Sequence, residues 1–95
     1  MDVIFTIEAQ GDLARIRHWI ARDNPVRALS FVRELNARAL ALSEFPLRHP
    51  VAYETTLGPV HKLVHGRYHL LYRVLSDKVE ILHVRHSAQE EPRFD

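Results

Sequence analysis

The sequence predicts an α+β domain, in the order β-α-α-β-β-β, with a helical hairpin packed on a small, mostly antiparallel sheet. Three observations carry this reading. Apolar residues recur at helical spacing in two stretches separated by Asn24-Pro25. Three β-rich stretches follow, divided by Gly66 and by Ser76-Asp77. A short run of β-branched and aromatic residues opens the chain. At 95 residues, 46% apolar and 26% charged, the chain reads as one domain over 1–95.

Residues 2–7, DVIFTI, read as the first strand. The period then changes: Leu13, Ile16, Trp19 and Ile20 fall on one helical stripe, and Arg15, Arg17 and Arg22 lie elsewhere. Thr6 suits the N-cap and Glu8 the first turn, where the helix dipole is positive. Pro25 cannot continue this helix, because it lacks an amide donor and restricts Asn24 before it. Asn24 as N-cap with Pro25 at the first helical position instead starts a second helix. Ala28, Val32, Leu35, Ala39 and Leu42 form its apolar stripe, Glu34 and Arg38 can pair on its solvent side, and it ends near Phe45, before Pro46.

Residues 46–59 hold three of the five prolines and read as an irregular loop of about 14 residues. Beyond it come VHKLVH, YHLLYRVL and KVEILHVRH, an antiparallel meander. A two-residue loop at Ser76-Asp77 would set Leu75 opposite Lys78 and Arg73 opposite Glu80, a cross-strand ion pair. In that register Tyr68, Leu70, Tyr72, Val74, Val79, Ile81 and His83 face the helices. Arg67, His69, Leu71, Arg73, Glu80, Leu82, Val84 and His86 face away. The tail is polar, with Phe94 able to dock.

The formal charge of +1 does not mark a nucleic-acid binder, and the absence of cysteine excludes disulfides and thiolate metal sites. No stretch reaches the ~20 apolar residues that span a bilayer. The N-terminus turns polar after Ile7, unlike a signal segment. A cytoplasmic protein without membrane contact and without cofactor is therefore expected. His61, His65 and His69 recur every four residues, but on strands such residues lie ~13 Å apart. Zinc needs ligand nitrogens at ~2.0–2.1 Å, so no metal site is expected. His69 and His86 would be diagonal neighbours on the outward face, beside Arg67. On the residues alone they read as half-exposed side chains of a partly polar sheet face.

Several stretches together resemble the RelE/ParE superfamily of bacterial toxins from type II toxin–antitoxin modules. They are the I-x-x-[DN]-N-P-x-x-A junction from Ile20 to Ala28, the Y-x-L-L-Y-R-V strand from Tyr68 to Val74, and the V-x-I-L-x-V-x-H strand from Val79 to His86. The likeness covers about residues 3–88, and the helix junction looks more like ParE. It implies a toxin that inhibits DNA gyrase and is neutralised by a cognate antitoxin in a hetero-oligomer. RelE-like relatives instead cut mRNA on the ribosome with basic residues and, in some, a histidine. Carried over to this chain, that pattern makes Lys62, Arg67, His69 and His86 the candidate catalytic residues. Val60 stands where a second lysine would be expected, His69 and Gln89 replace arginines, and the tail has no tyrosine. A homologue that has lost activity and only binds antitoxin is the third reading. The resemblance also implies an apolar seat for an antitoxin segment. Phe45, Leu47 and Leu57 are the candidates for it, with Arg73, Arg85 and His86 as further partner contacts.

Overall fold

A computed structural model describes residues 1–89 and Pro92; Phe94 lies outside the described residues. The elements are β1 (Asp2–Phe5), α1 (Ile7–Ala21), α2 (Pro25–Leu40), a 3-10 turn (Ala41–Ser43), β2 (Val51–Thr55), β3 (Gly58–His65), β4 (Tyr68–Val74) and β5 (Lys78–His86). They form one five-stranded sheet in the order β1-β5-β4-β3-β2. β1 runs parallel to β5, and every other pairing is antiparallel.

The helix starts follow from their caps. Thr6 Oγ1 accepts from the Ala9 amide at 3.2 Å, and Asn24 Oδ1 accepts from the Arg27 amide at 3.0 Å with Pro25 at the first helical position. α2 stops at Leu40, five residues short of the expected end, and the 3-10 turn takes the chain on to Ser43. Its core stripe holds Ala28, Phe31, Leu35 and Ala39. On α1 the buried residues are Ala9, Asp12 and Ile16, with Leu13 and Ile20 partly covered. Trp19, expected in that stripe, is 64% exposed. Its ring lies at the helix rim, with the Arg22 guanidinium 5.3 Å above it.

The helices cover one face of the sheet. Leu63, Leu70, Tyr72, Val79, Ile81 and Val84 meet Ile16, Phe31 and Leu35 there in a single core. Each such large apolar side chain contributes about 1.5–3 kcal/mol by leaving water. The hairpin between β4 and β5 has the expected register: Leu75 donates to the Lys78 carbonyl at 2.8 Å, and Arg73 lies opposite Glu80. The expected ion pair does not form. Arg73 Nη2 instead donates to Thr55 Oγ1 at 3.1 Å. Glu34 likewise pairs with Arg27 and His65 rather than Arg38.

Two differences from the sequence reading matter most. First, the segment read as an irregular loop contains β2, whose Tyr53 pairs with Val60 and Thr55 with Gly58. Thr56 and Leu57 make the turn, closed by Gly58 at φ 106°, a value that suits glycine. Second, β5 carries a bulge. Tyr72 is opposite Ile81, but Leu71 is opposite His83, so Leu82 is an inserted residue. An insertion exchanges the faces of everything beyond it. Val84 pairs with Leu70 and joins the core, His86 pairs with Tyr68, and Arg85 now lies opposite His69. The expected outward placement of Val84 and His86 is thereby corrected.

Side chains of the first helix hold the bulge. Thr6 Oγ1, the N-cap, also donates toward the carbonyls of Ile81 at 3.0 Å and Leu82 at 3.2 Å. Asp12 Oδ2 accepts from the Val84 amide at 2.9 Å and lies 3.3 Å from His83 Nδ1, while Oδ1 takes Arg15. Asp12→Ala would strand a buried amide, at a cost of about 1–3 kcal/mol. The expected outcome in urea denaturation is a lower midpoint with an unchanged slope, together with faster hydrogen exchange at Val84.

Candidate functional site

The face of the sheet away from the helices is built by alternation. Lys62 on β3 pairs with Leu71 on β4, and His69 on β4 pairs with Arg85 on β5. All four side chains therefore share one surface, with Tyr53 arriving from β2. They line a small cavity of about 80 Å³ whose rim is completed by Gln89 and Pro92. Leu71 is buried at its floor, and Val60 is buried on the same face. This face thus has a minor apolar layer of its own beneath its polar groups.

His69 holds its pKa below the ordinary histidine value. Burial is the main cause, and the nearby charges of Lys62 and then His86 add to it. Its imidazole is thus biased toward the neutral form, beside a lysine and across the ladder from an arginine.

His86 is positioned differently. Its ring packs edge-on against Tyr68, with centroids 5.0 Å apart. Its Nδ1 accepts from the Ala88 amide at 3.0 Å, which leaves Nε2 to carry the proton of the neutral ring. Gln89 Oε1 accepts from the His86 amide at 2.7 Å and locks the turn. His86 therefore borders the cavity without presenting its ring alongside that of His69. Arg67 sits exposed in the turn between β3 and β4 and does not line the cavity; its carbonyl accepts from Ser87 at 2.7 Å. Of the four catalytic candidates, Lys62 and His69 are brought together, His86 is at the edge, and Arg67 stands apart.

The other two histidines of the four-residue series have separate duties. His61 is buried, stacks on Tyr72 at 5.1 Å and places Nδ1 2.7 Å from the His49 carbonyl. His65 spans two α2 side chains, with Nε2 3.0 Å from Glu34 and Nδ1 3.1 Å from Arg38. Among the described residues no three histidine, cysteine or acidic side chains converge as a metal site.

The partner-contact candidates fall in three places. Phe45 and Leu47 are 63% and 70% exposed and border a shallow apolar depression with Glu44, Pro46 and Arg48. Leu57 is exposed at the tip of the β2–β3 hairpin. Arg85 belongs to the open-face cavity, whereas Arg73 is buried and donates to Thr55 Oγ1. A further cavity of about 440 Å³ lies between α1 and β5, walled by Ile16, Trp19, Tyr68 and Val84. Sequence reasoning missed Tyr53 and met Gln89 only as the residue standing where the resemblance expects an arginine. The run of β-branched and aromatic residues from Val51 to Thr55 carried the signal for Tyr53.

Comparison with known proteins places these features in a family. The model of the family described as ParE toxin of type II toxin-antitoxin system, parDE, matches residues 3–91. The Toxin RelE2 of Caulobacter vibrioides is 32% identical over 87 residues, covering 92% of this chain and 96% of that protein. Among solved structures, a toxin–antitoxin complex RelBE2 from Mycobacterium tuberculosis aligns with TM-score 0.67 and 30% identity, covering 93% of this chain and 92% of that one. A chromosomal ParDE system from P. aeruginosa has the same fold, with TM-score 0.74 at 20% identity, over 90% of this chain and 95% of that one.

In an NMR pH titration, His69 is expected to show a midpoint below about 6.5, the ordinary value. Lys62→Gln should move that midpoint up. Because the folded pKa is the lower one, the folded state takes up fewer protons. The His69 contribution to stability is therefore lost as pH falls through the unfolded value and toward the folded one.

Proposed function

The chain belongs to the ParE toxin family of type II toxin–antitoxin systems, within the RelE/ParE superfamily, and from that premise we propose that it arrests growth by binding DNA gyrase in the cytoplasm, and that a cognate antitoxin neutralises it in a hetero-oligomer. The observation that carries the binding reading is the incomplete cationic set on the open face. RNA cleavage through the 2′-hydroxyl needs a base, an acid and several charges around the phosphate. Here Lys62 and Arg85 are the cations lining the cavity, Val60 is buried beside Lys62, Arg67 is outside the cavity, and Arg73 is tied to Thr55.

A second reading has its own support. A neutral His69 next to Lys62 and Arg85 is the start of a general-base site, and the relative from Caulobacter vibrioides carries the name RelE2. This reading makes the chain a ribosome-dependent mRNA endoribonuclease. The antitoxin part of the proposal is common to both. It draws on the RelBE2 neighbour, whose description is of a toxin–antitoxin complex.

The discriminating experiment assays the purified toxin against gyrase and against translated message in parallel. Blocked supercoiling with trapped cleaved DNA, and intact message, is the expected result. Lys62→Ala and His69→Ala should leave that inhibition unchanged. Under the nuclease reading each would lower cleavage by ~10²–10⁴-fold. Normal supercoiling together with cut message would replace the first reading with the second.

A further inference from the structure

The cavity of about 440 Å³ between α1 and β5 takes no part in the chemistry considered so far. Its volume falls within the range of small-molecule sites, roughly 300–1,000 Å³. Ile16 and Val84, both core residues, form its apolar wall. Three elements each add an aromatic ring: Trp19 from α1, Tyr68 from β4 and His86 from β5. Tyr68 is held in place by Phe31, with ring centroids 4.9 Å apart, and by His86 at 5.0 Å. The helix cannot slide in to fill the space, because Thr6 and Asp12 fix it to the backbone of β5. Trp19, the one tryptophan of the chain, therefore stays 64% exposed at the mouth.

The polar atoms of the lining are mostly unused donors. Arg15 gives one Nη2 to Asp12, and its remaining N–H groups have no partner among the described residues. His86 accepts the Ala88 amide at Nδ1, so the proton of its neutral ring is on Nε2. Gln89 accepts the His86 amide at Oε1, which leaves its NH2 group. Asp12 is the acidic residue of the lining, and both of its oxygens are already taken, by Arg15 on one side and by Val84 and His83 on the other. A second guanidinium, that of Arg22, lies 5.3 Å from the Trp19 ring and makes no ion pair among the described residues. Flat rings beside unused donors, with the carboxylate engaged, are complementary to a flat apolar body that carries an anion.

We infer that this cavity binds a small planar aromatic acid, its ring system against Trp19 and Tyr68 and its acid group on Arg15 and the donors of His86 and Gln89. An aryl carboxylate and a nucleoside monophosphate share this chemistry. His86 and Gln89 also line the open-face cavity, so a ligand on the helix side touches residues that border both. The inference stands whichever macromolecule the toxin acts on.

The test titrates the purified, 15N-labelled full chain with 2-naphthoate, with adenosine 5′-monophosphate, and with 2-naphthalenemethanol as the uncharged match. The single indole N–H signal of Trp19 and the Val84 amide report occupancy, and calorimetry gives the affinity. At least one acid is expected to shift both signals saturably; the tighter of the two names the source. The alcohol should bind at least ~10-fold more weakly than naphthoate, because it lacks the charge-assisted bonds. Trp19→Ala should weaken acid binding at least ~10-fold and Trp19→Phe should restore most of it. Arg15→Gln should bring naphthoate down to the level of the alcohol. Val26→Ser, on an 81% exposed site of α2, should change nothing. The Trp19 variants should melt like the wild type, since that ring is exposed, and they decide the matter if loss of the Arg15 bond to Asp12 lowers stability. Absence of a saturable shift with either acid at millimolar concentration would overturn the inference. So would equal affinity for naphthoate and its alcohol, or wild-type affinity in Trp19→Ala. Dimerisation of the unliganded wild type that Trp19→Ala abolishes would assign the cavity to a second copy and overturn it as well.

Discussion

The attachment of α1 to the bulged part of β5 is the constraint from which the remaining structure follows. Thr6 and Asp12 are six residues apart on the chain and reach the same irregular stretch, Ile81 to Val84. A bulge leaves backbone groups without cross-strand partners, and buried groups of that kind must be satisfied by something. Here a hydroxyl takes the carbonyls and a carboxylate takes the amide. The helix is thereby fixed in both position and rotation over the sheet, and the inserted Leu82 is fixed in the strand. Asp12 is 4% exposed, a costly placement for a carboxylate unless it is well bonded. Its bonds to Val84 and Arg15, with the His83 ring close by, meet that condition.

Much of the fold was legible because local rules agreed with one another. The cap at Thr6, the Asn24-Pro25 junction and the loop at Ser76-Asp77 each depend on a few adjacent residues, and each formed as read. What escaped depended on residues distant in sequence. Nothing in KVEILHVRH marks Leu82 as the extra residue, because the bulge is stabilised by side chains more than seventy positions earlier. Asp12 carries no local mark of its role for the same reason. β2 was hidden by the prolines around it, although Pro50 only precedes the strand and Pro59 belongs to β3. Its alternation is also broken by a register shift between Val51 and Tyr53. Of the candidate site, the outward face of His69 was legible from period, Lys62 entered only through the resemblance, and the position of His86 was not legible.

The bulge also decides the chemistry of the open face. Without it, His69 and His86 would stand on the same surface as diagonal neighbours, a pair of imidazoles suited to acid and base roles. With it, Arg85 takes the place opposite His69, and His86 turns to Tyr68 and the Ala88 amide. One inserted residue thus sets Arg85 opposite His69 and leaves His86 at the border of the same cavity, where its charge still reaches His69.

The exposed apolar residues can be weighed in the same terms. Single ones such as Val26 or Leu57 are ordinary on a small domain, where polar surface is too scarce to cover everything. The group from Leu40 to Val51 is different, because its members sit on one connection that is pinned at both ends and contributes His49 to the packing around Tyr72. The inward residue of that connection covers the end of the core, so the flanking residues are forced outward by the same backbone course. Folding thereby creates the exposed surface as a by-product of closing the core beneath it.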